Sequence, residues 1–232
     1  MSITLTLNGN SSILTNNFFP PIDLREKEYI CGLADFQTYN SIPNIDEENN
    51  KFIIGDKTVT IPIGSYEIED IEKFLRKELQ ITKTDKNKLI IRANNNTLKC
   101  EIFADMEIDF TREDTIGRLL GFSRKKLSLN KWHTSDLFVD INKINIIRVE
   151  CNIISGTYID GKEAHILHEF SINVSPGYKI IEVPKNVIYL PVTVNQISSI
   201  TIKLLDQNGN LINFRGEAIT IRLHLKIQNV GI

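Results

Sequence analysis

The sequence predicts an all-β protein, a sandwich or barrel with one or two short inserted helices. Strand-like runs follow one another from Asn145 to Ile227: INIIRVECNIIS, HILHEFSINV, YKIIEVP, VIYLPV, SITIKLLD and AITIRLHLKI, each with β-branched residues at strand spacing. Turn signals separate them, at Asp160-Gly161, Pro176-Gly177, Pro184-Lys185-Asn186 and Asn208-Gly209-Asn210. Helical periodicity is confined to short stretches near 66–79 and 114–120. Many short strands in a chain of this length make a sandwich or barrel, a body that usually serves assembly or binding.

The N-terminal residues 1–24 read as an arm. Ile3, Leu5 and Leu7 alternate with Thr and suit an added edge strand. Phe18-Phe19-Pro20-Pro21 is an apolar knot that a free arm should not expose, so the two Phe side chains pack on the body or on a neighbour. The domain proper is expected from residue 25 to 232. Its first strand runs from about Glu28 to Tyr39, with Tyr29, Cys31 and Leu33 in phase and Phe36 out of phase, which signals a bulge. The polar loop SIPNIDEENN follows, then a hairpin of Lys51–Ile54 and Thr58–Ile63 around Gly55-Asp56-Lys57.

The period changes at Ser65. Ile68, Ile71, Phe74, Leu75 and Leu79 share a helix face, with Ser65 as cap and Glu69–Lys73 as an i,i+4 pair. Leu89–Ala93 and Leu98–Phe103 bracket Asn94-Asn95-Asn96 as another hairpin, and Met106–Phe110 is a further short strand. Thr115–Leu120 reads as a short helix stopped by Gly121. Ser123–Asp136 is a basic stretch in which Arg124, Lys125, Lys126 and Lys131 cluster with Trp132 and His133.

With 232 residues and 41% hydrophobic content the chain fits one all-β domain or two small ones, with Phe110, Phe122, Phe138 and Phe170 as core aromatics. A net charge of −2 disfavours a tail-driven nucleic-acid binder without excluding a local basic patch. Cys31, Cys100 and Cys151 are odd in number and widely spaced, so buried free thiols are expected and a disulfide framework is not. The Asn-x-Ser/Thr triplets at Asn10, Asn95 and Asn173 are expected by chance in so Asn-rich a chain. The N-terminus shows no secretory pattern, and no run approaches the ~20 apolar residues of a membrane span.

Catalysis is not expected. No G-x-S-x-G, G-x-G-x-x-G or Walker loop is present. His165 and His168 stand three apart in a strand and point to opposite faces, which weakens a metal pair, and His224 alternates with Leu223 and Leu225 as an interface or solvent residue. Asp105, Glu107 and Asp109 alternate and would suit either a cation or a solvated edge. The basic stretch allows three readings: a nucleic-acid contact, a contact with an acidic neighbour, or a solvated loop balanced by nearby acids. A monomeric binding module for carbohydrate or protein is the alternative to assembly, with Tyr158, Tyr178 and Tyr189 as its unevenly spaced aromatics.

Seven segments, in order, carry a resemblance: FFPPIDL, YICGLADFQTYNSIPNI, DFTREDTIGRLLGF, CNIISGTYIDG, HILHEFS, YKIIEVPKNVIYLPV and IKLLDQNGNLINFRGEAITIRLHLKI. Together they resemble the penton, or minor capsid, proteins of Polinton/Maverick elements, adintoviruses and related double-jelly-roll double-stranded DNA viruses. The resemblance implies a single jelly roll of two four-stranded antiparallel sheets. It implies a homopentamer at the icosahedral five-fold vertex, in a virion capsid made in the host cytoplasm or nucleus and not secreted. The implied partners are the major capsid protein and a vertex fibre or other minor capsid protein. It implies no cofactor. The helix near Ser65 and the TIGRLLGF segment would fill one end of the roll, with no room for a large outward domain. Phe18, Phe19 and the loop bearing Arg124, Lys125, Lys126, Lys131 and Trp132 are then the candidate subunit or capsomer contacts.

Overall fold

Strands begin at Ser2. The computed structural model describes residues 2–82, 85, 88–141 and 143–228. Its first elements are β1 (Ser2–Gly9), β2 (Ile13–Asp23) and β3 (Tyr29–Tyr39). Then come β4 (Lys51–Ile54), β5 (Lys57–Thr60), α1 (Ile68–Glu78), β6 (Leu89–Asn94), β7 (Lys99–Ala104), β8 (Ile108–Asp109), β9 (Lys126–Leu127) and β10 (Lys131–Thr134). The C-terminal run is β11 (Ile146–Cys151), β12 (Thr157–Ile159), β13 (Lys162–Ala164), β14 (Ile166–Ser171), β15 (Lys179–Glu182), β16 (Leu190–Pro191), β17 (Gln196–Leu205) and β18 (Ile219–Ile227).

The chain forms two compact units, one from residues up to Ile42 and from Ile144 onward, the other from Pro43 to Lys143. The first is a jelly roll. One sheet has the order β1-β18-β3-β15, with β16 also on β3, and the other has the order β14-β11-β17-β2. The antiparallel pairs nest: β1 with β18, β2 with β17, β3 with β15 and β11 with β14. This is the pairing of a long two-stranded ribbon wound into two sheets. The alternating start of the expected arm is the edge strand β1 of this sheet. Leu5 and Leu7 are buried because alternation in SITLTLNG gives β1 an apolar face, and β18 offers it a ladder.

Inward positions of both sheets meet in one core that includes Leu7, Cys31, Phe36, Val149, Cys151, Ile202, Leu204, Ile221 and Leu223. Each such side chain contributes about 1.5–3 kcal/mol on burial, before the entropy cost of ordering it. The bulge expected in the first body strand is present: Arg222 pairs with Asp35 and Leu223 with Leu33, leaving Ala34 as the extra residue.

The second unit has its own core, around Phe52, Ile71, Leu75, Ile91, Ile102, Phe110 and Leu120. Its strands form the sheets β10-β7-β6 and β5-β4-β8-β9, and α1 packs against β6. The single domain expected over 25–232 is thus corrected. Residues 43–143 form a unit inserted between β3 and β11, and it contains α1 and the TIGRLLGF segment expected at an end of the roll.

Helix α1 buries Ile68, Ile71 and Leu75 as its periodicity predicts, but Glu67, not Ser65, is the N-cap, without a side-chain cap bond. Lys73 pairs with Asp70 at 3.2 Å, not with Glu69. The segment near 114–120 is a single turn, not a helix. Leu120 N–H donates to Ile116 O, Gly121 N–H to Arg118 O and Phe122 N–H to Gly117 O. These last two bonds, with Gly121 at φ +82°, make a Schellman closure that stops the chain after one turn. Phe110 and Phe122 are buried and Phe170 packs at the edge of the first core, whereas Phe138 is 64% exposed.

Candidate assembly surfaces

Phe18 and Phe19 lie where the β2–β17 ladder breaks. Ile13–Asn17 pair with Lys203–Ser199, and pairing resumes at Ile22 with Ile197. Pro20 and Pro21 carry no N–H, so the intervening segment cannot sustain the ladder and bulges out. The two Phe residues then part. Phe18 packs against the jelly-roll core, while Phe19 is 100% exposed. One answers to packing on the body; the other is an apolar ring on an edge strand with no cover among the described residues.

The basic stretch belongs to the second unit and is largely neutralised there. Arg124 pairs with Glu113, Lys125 with Asp136 at 2.7 Å, and Lys126 with Glu107 at 2.9 Å and Asp109 at 3.5 Å. Lys125, together with the Ser123 N–H and hydroxyl, holds the Asp136 carboxyl far below the ordinary carboxylate range. The hydrogen bond to Glu107 raises Lys126 in turn. The solvated loop balanced by acids is therefore the reading the geometry favours for Arg124–Lys126. Glu107 and Asp109 receive a lysine where the sequence allowed a cation.

Trp132 and Lys131 stand apart from that balance, on β10. Trp132 pairs in register with Phe103, their ring centroids 5.6 Å apart, and the Arg92 guanidinium lies 4.5 Å from the indole centroid. Lys131 is exposed on the same edge strand. The seven candidate contacts thus divide between the two units: Phe18 and Phe19 in the jelly roll, the other five in the inserted unit.

The histidines each have a separate partner. His165 Nδ1 lies 2.6 Å from Ile154 O, His168 Nε2 3.0 Å from Glu182, His224 Nδ1 2.8 Å from Tyr189 Oη, and His133 Nε2 2.8 Å from Ser128 O. Among the described residues no group of three or more His, Cys, Asp or Glu side chains is placed to hold a metal ion. The three cysteines are free and buried; burial pushes Cys100 up to about 12 and Cys151 to about 11, and Cys31 higher still.

One apolar surface escaped the sequence reading. On β15 Ile180 points into the core, while Ile181, and Val183 just past the strand, face solvent, with Tyr39 exposed on the neighbouring strand β3. The signal was present in YKIIEVP, where apolar residues occupy both strand phases. Tyr158, Tyr178 and Tyr189 fall on separate segments, at β12, before β15 and before β16.

No family model matches the chain, and no curated protein matches it. Among solved structures it is similar to the crystal structure of the mavirus penton protein, at a TM-score of 0.53 and 11% sequence identity, over 98% of this chain and 100% of that one. At that identity the likeness is one of fold.

Proposed function

We propose that the chain is a structural capsid protein, a penton subunit that forms the pentameric five-fold vertex of an icosahedral double-stranded DNA virus or virus-like transposon capsid. The observation that carries this reading is the likeness in fold to the mavirus penton protein over 98% of this chain and all of that one. The nested jelly-roll pairing supports it, because a strand-locked body with loops at its ends suits repeated lateral packing. Cyclic closure needs two different surfaces that meet with a closing rotation. Phe19 on edge strand β2 is the foremost candidate for one of them, with the other six contacts considered above behind it. The major capsid protein, and a fibre or other minor protein at the vertex, are the further partners in this reading.

The test is the solution mass of the purified chain by light scattering, with negative-stain images of the same peak, repeated with the major capsid protein present. Five-membered rings in either sample are expected, and Phe19→Ser should weaken them without changing the thermal unfolding of the subunit. A chain that stays monomeric alone and in the presence of the major capsid protein would overturn the proposal.

A further inference from the structure

The outward face of the β1-β18-β3-β15 sheet has a charge opposite to that of the whole chain. In β18, Ile219, Ile221, Leu223 and Leu225 are buried, so Arg222, His224 and Lys226 occupy the outward phase. The register sets Thr6, Thr4 and Ser2 of β1 opposite these three, and all three β1 residues are exposed. Neither strand contains an acidic residue. Gln37 of β3 and Lys179 of β15 extend the face, with Lys179 Nζ 2.9 Å from Gln37 Oε1. The acid at an outward position of these strands is Asp35, its side chain 9% exposed and paired with Arg222 at 2.9 Å. Lys226 lies 3.7 Å from the Tyr189 ring centroid, and the Tyr189 hydroxyl meets His224. Three cations against one buried acid leave the face positive on a chain whose net charge is −2.

We propose that this face binds nucleic acid through its phosphodiester backbone. Arg, Lys, Ser, Thr and Gln are side chains that contact phosphates, and they make up most of the outward positions of β1 and β18, with Gln37 and Lys179 beside the exposed Ile181 at the β15 edge. Arg222, His224 and Lys226 repeat every ~6.8 Å along the strand, a linear array suited to a linear polyanion. An acidic protein partner would want a central apolar anchor in a pocket. Beside β18 the aromatic ring, Tyr189, is already covered by Lys226, and the exposed Ile181 lies at the far β15 edge of the sheet, not at the centre of the cations. The site does not depend on the capsid reading.

The test is fluorescence anisotropy of the intact chain with a labelled duplex of about 20 bp, in about 50 and 200 mM salt, the range over which backbone contacts are read out. With Arg222 held by Asp35, the two phosphates neutralised by Lys226 and Lys179 predict binding that is indifferent to sequence and ~12-fold weaker at the higher salt. Lys226→Glu with Thr4→Glu, and separately Thr6→Glu, should each weaken it at least ~10-fold at low salt by placing like charge against phosphate. Both leave the Arg222–Asp35 pair in place, and retention of the wild-type melting curve reports that the fold is kept. Lys57→Glu, at an exposed position of the inserted unit, should leave binding unchanged. Absence of binding at low salt, unaltered binding by both face variants, or displacement of the duplex by an equal charge of polyglutamate would each overturn the proposal.

Discussion

Gly32 shows how much a single position can constrain. A Cβ there would lie 2.4 Å from Val187 Cγ1 and 2.9 Å from the Ile188 carbonyl oxygen. The segment that carries Tyr189 to His224 can lie flat on β3 only because Gly32 has no side chain. Gly32→Ala should therefore cost about 1–3 kcal/mol, as overpacking against backbone does. A urea titration checks this: the midpoint should fall with its slope unchanged, and an unchanged midpoint would refute the close approach. Exposure was less legible at this scale. Phe18 and Phe19 are adjacent and chemically identical, and the alternation of β2 puts Phe18 in phase with buried Leu14 and Phe19 in the opposite, solvent-facing phase; which phase meets a core is set by the pairing with β17. Phe138 has the composition of a core residue, yet Leu137 N–H binds Gly121 O and the segment is held at the surface.

At the scale of elements, the Ser123–Asp136 clasp joins the two ends of the basic stretch. Asp136 accepts from Ser123 N–H at 2.9 Å, from its hydroxyl at 2.7 Å and from Lys125 at 2.7 Å. Its folded pKa lies below the unfolded one. Its contribution to stability is therefore fully present above the ordinary carboxylate range near ~4 and is lost as pH falls toward the folded value. Asp136→Asn should thus be less stable than the parent at pH ~7, with the gap closing toward pH ~2. Urea midpoints across that range decide it, and a gap independent of pH would exclude the charged clasp. Helix α1 was legible because its apolar period extends over three turns, whereas the turn at Thr115–Leu120 carries the same signal over one, too short for an i to i−4 ladder before Gly121 closes it.

For the whole molecule, the two cores have no residue in common, and the inserted unit closes its own sheets and helix. A fragment of residues 43–143 should therefore fold alone, with a cooperative thermal transition in circular dichroism and dispersed amide resonances. A fragment without either would show that the unit needs the jelly roll to fold. The insertion was hidden in the sequence because its boundaries, at Pro43 and Lys143, fall in loops that read like the other connections between strands. The seven candidate contacts sit on two bodies.

The sequence by itself determined the class of the fold, the strands of the last third, the helix face of α1, the bulge near Phe36 and the burial of the three cysteines. All of these are local: a period of two or of 3.6, a break in phase, an apolar neighbourhood. Tertiary structure alone decided that β1 joins β18 and β2 joins β17, that residues 43–143 stand as a unit of their own, and that Arg124–Lys126 meet acids while Arg222 meets Asp35. Those outcomes depend on which distant segments meet. Pairing across more than two hundred residues, as between Thr4 and His224, leaves no trace in the spacing of either strand.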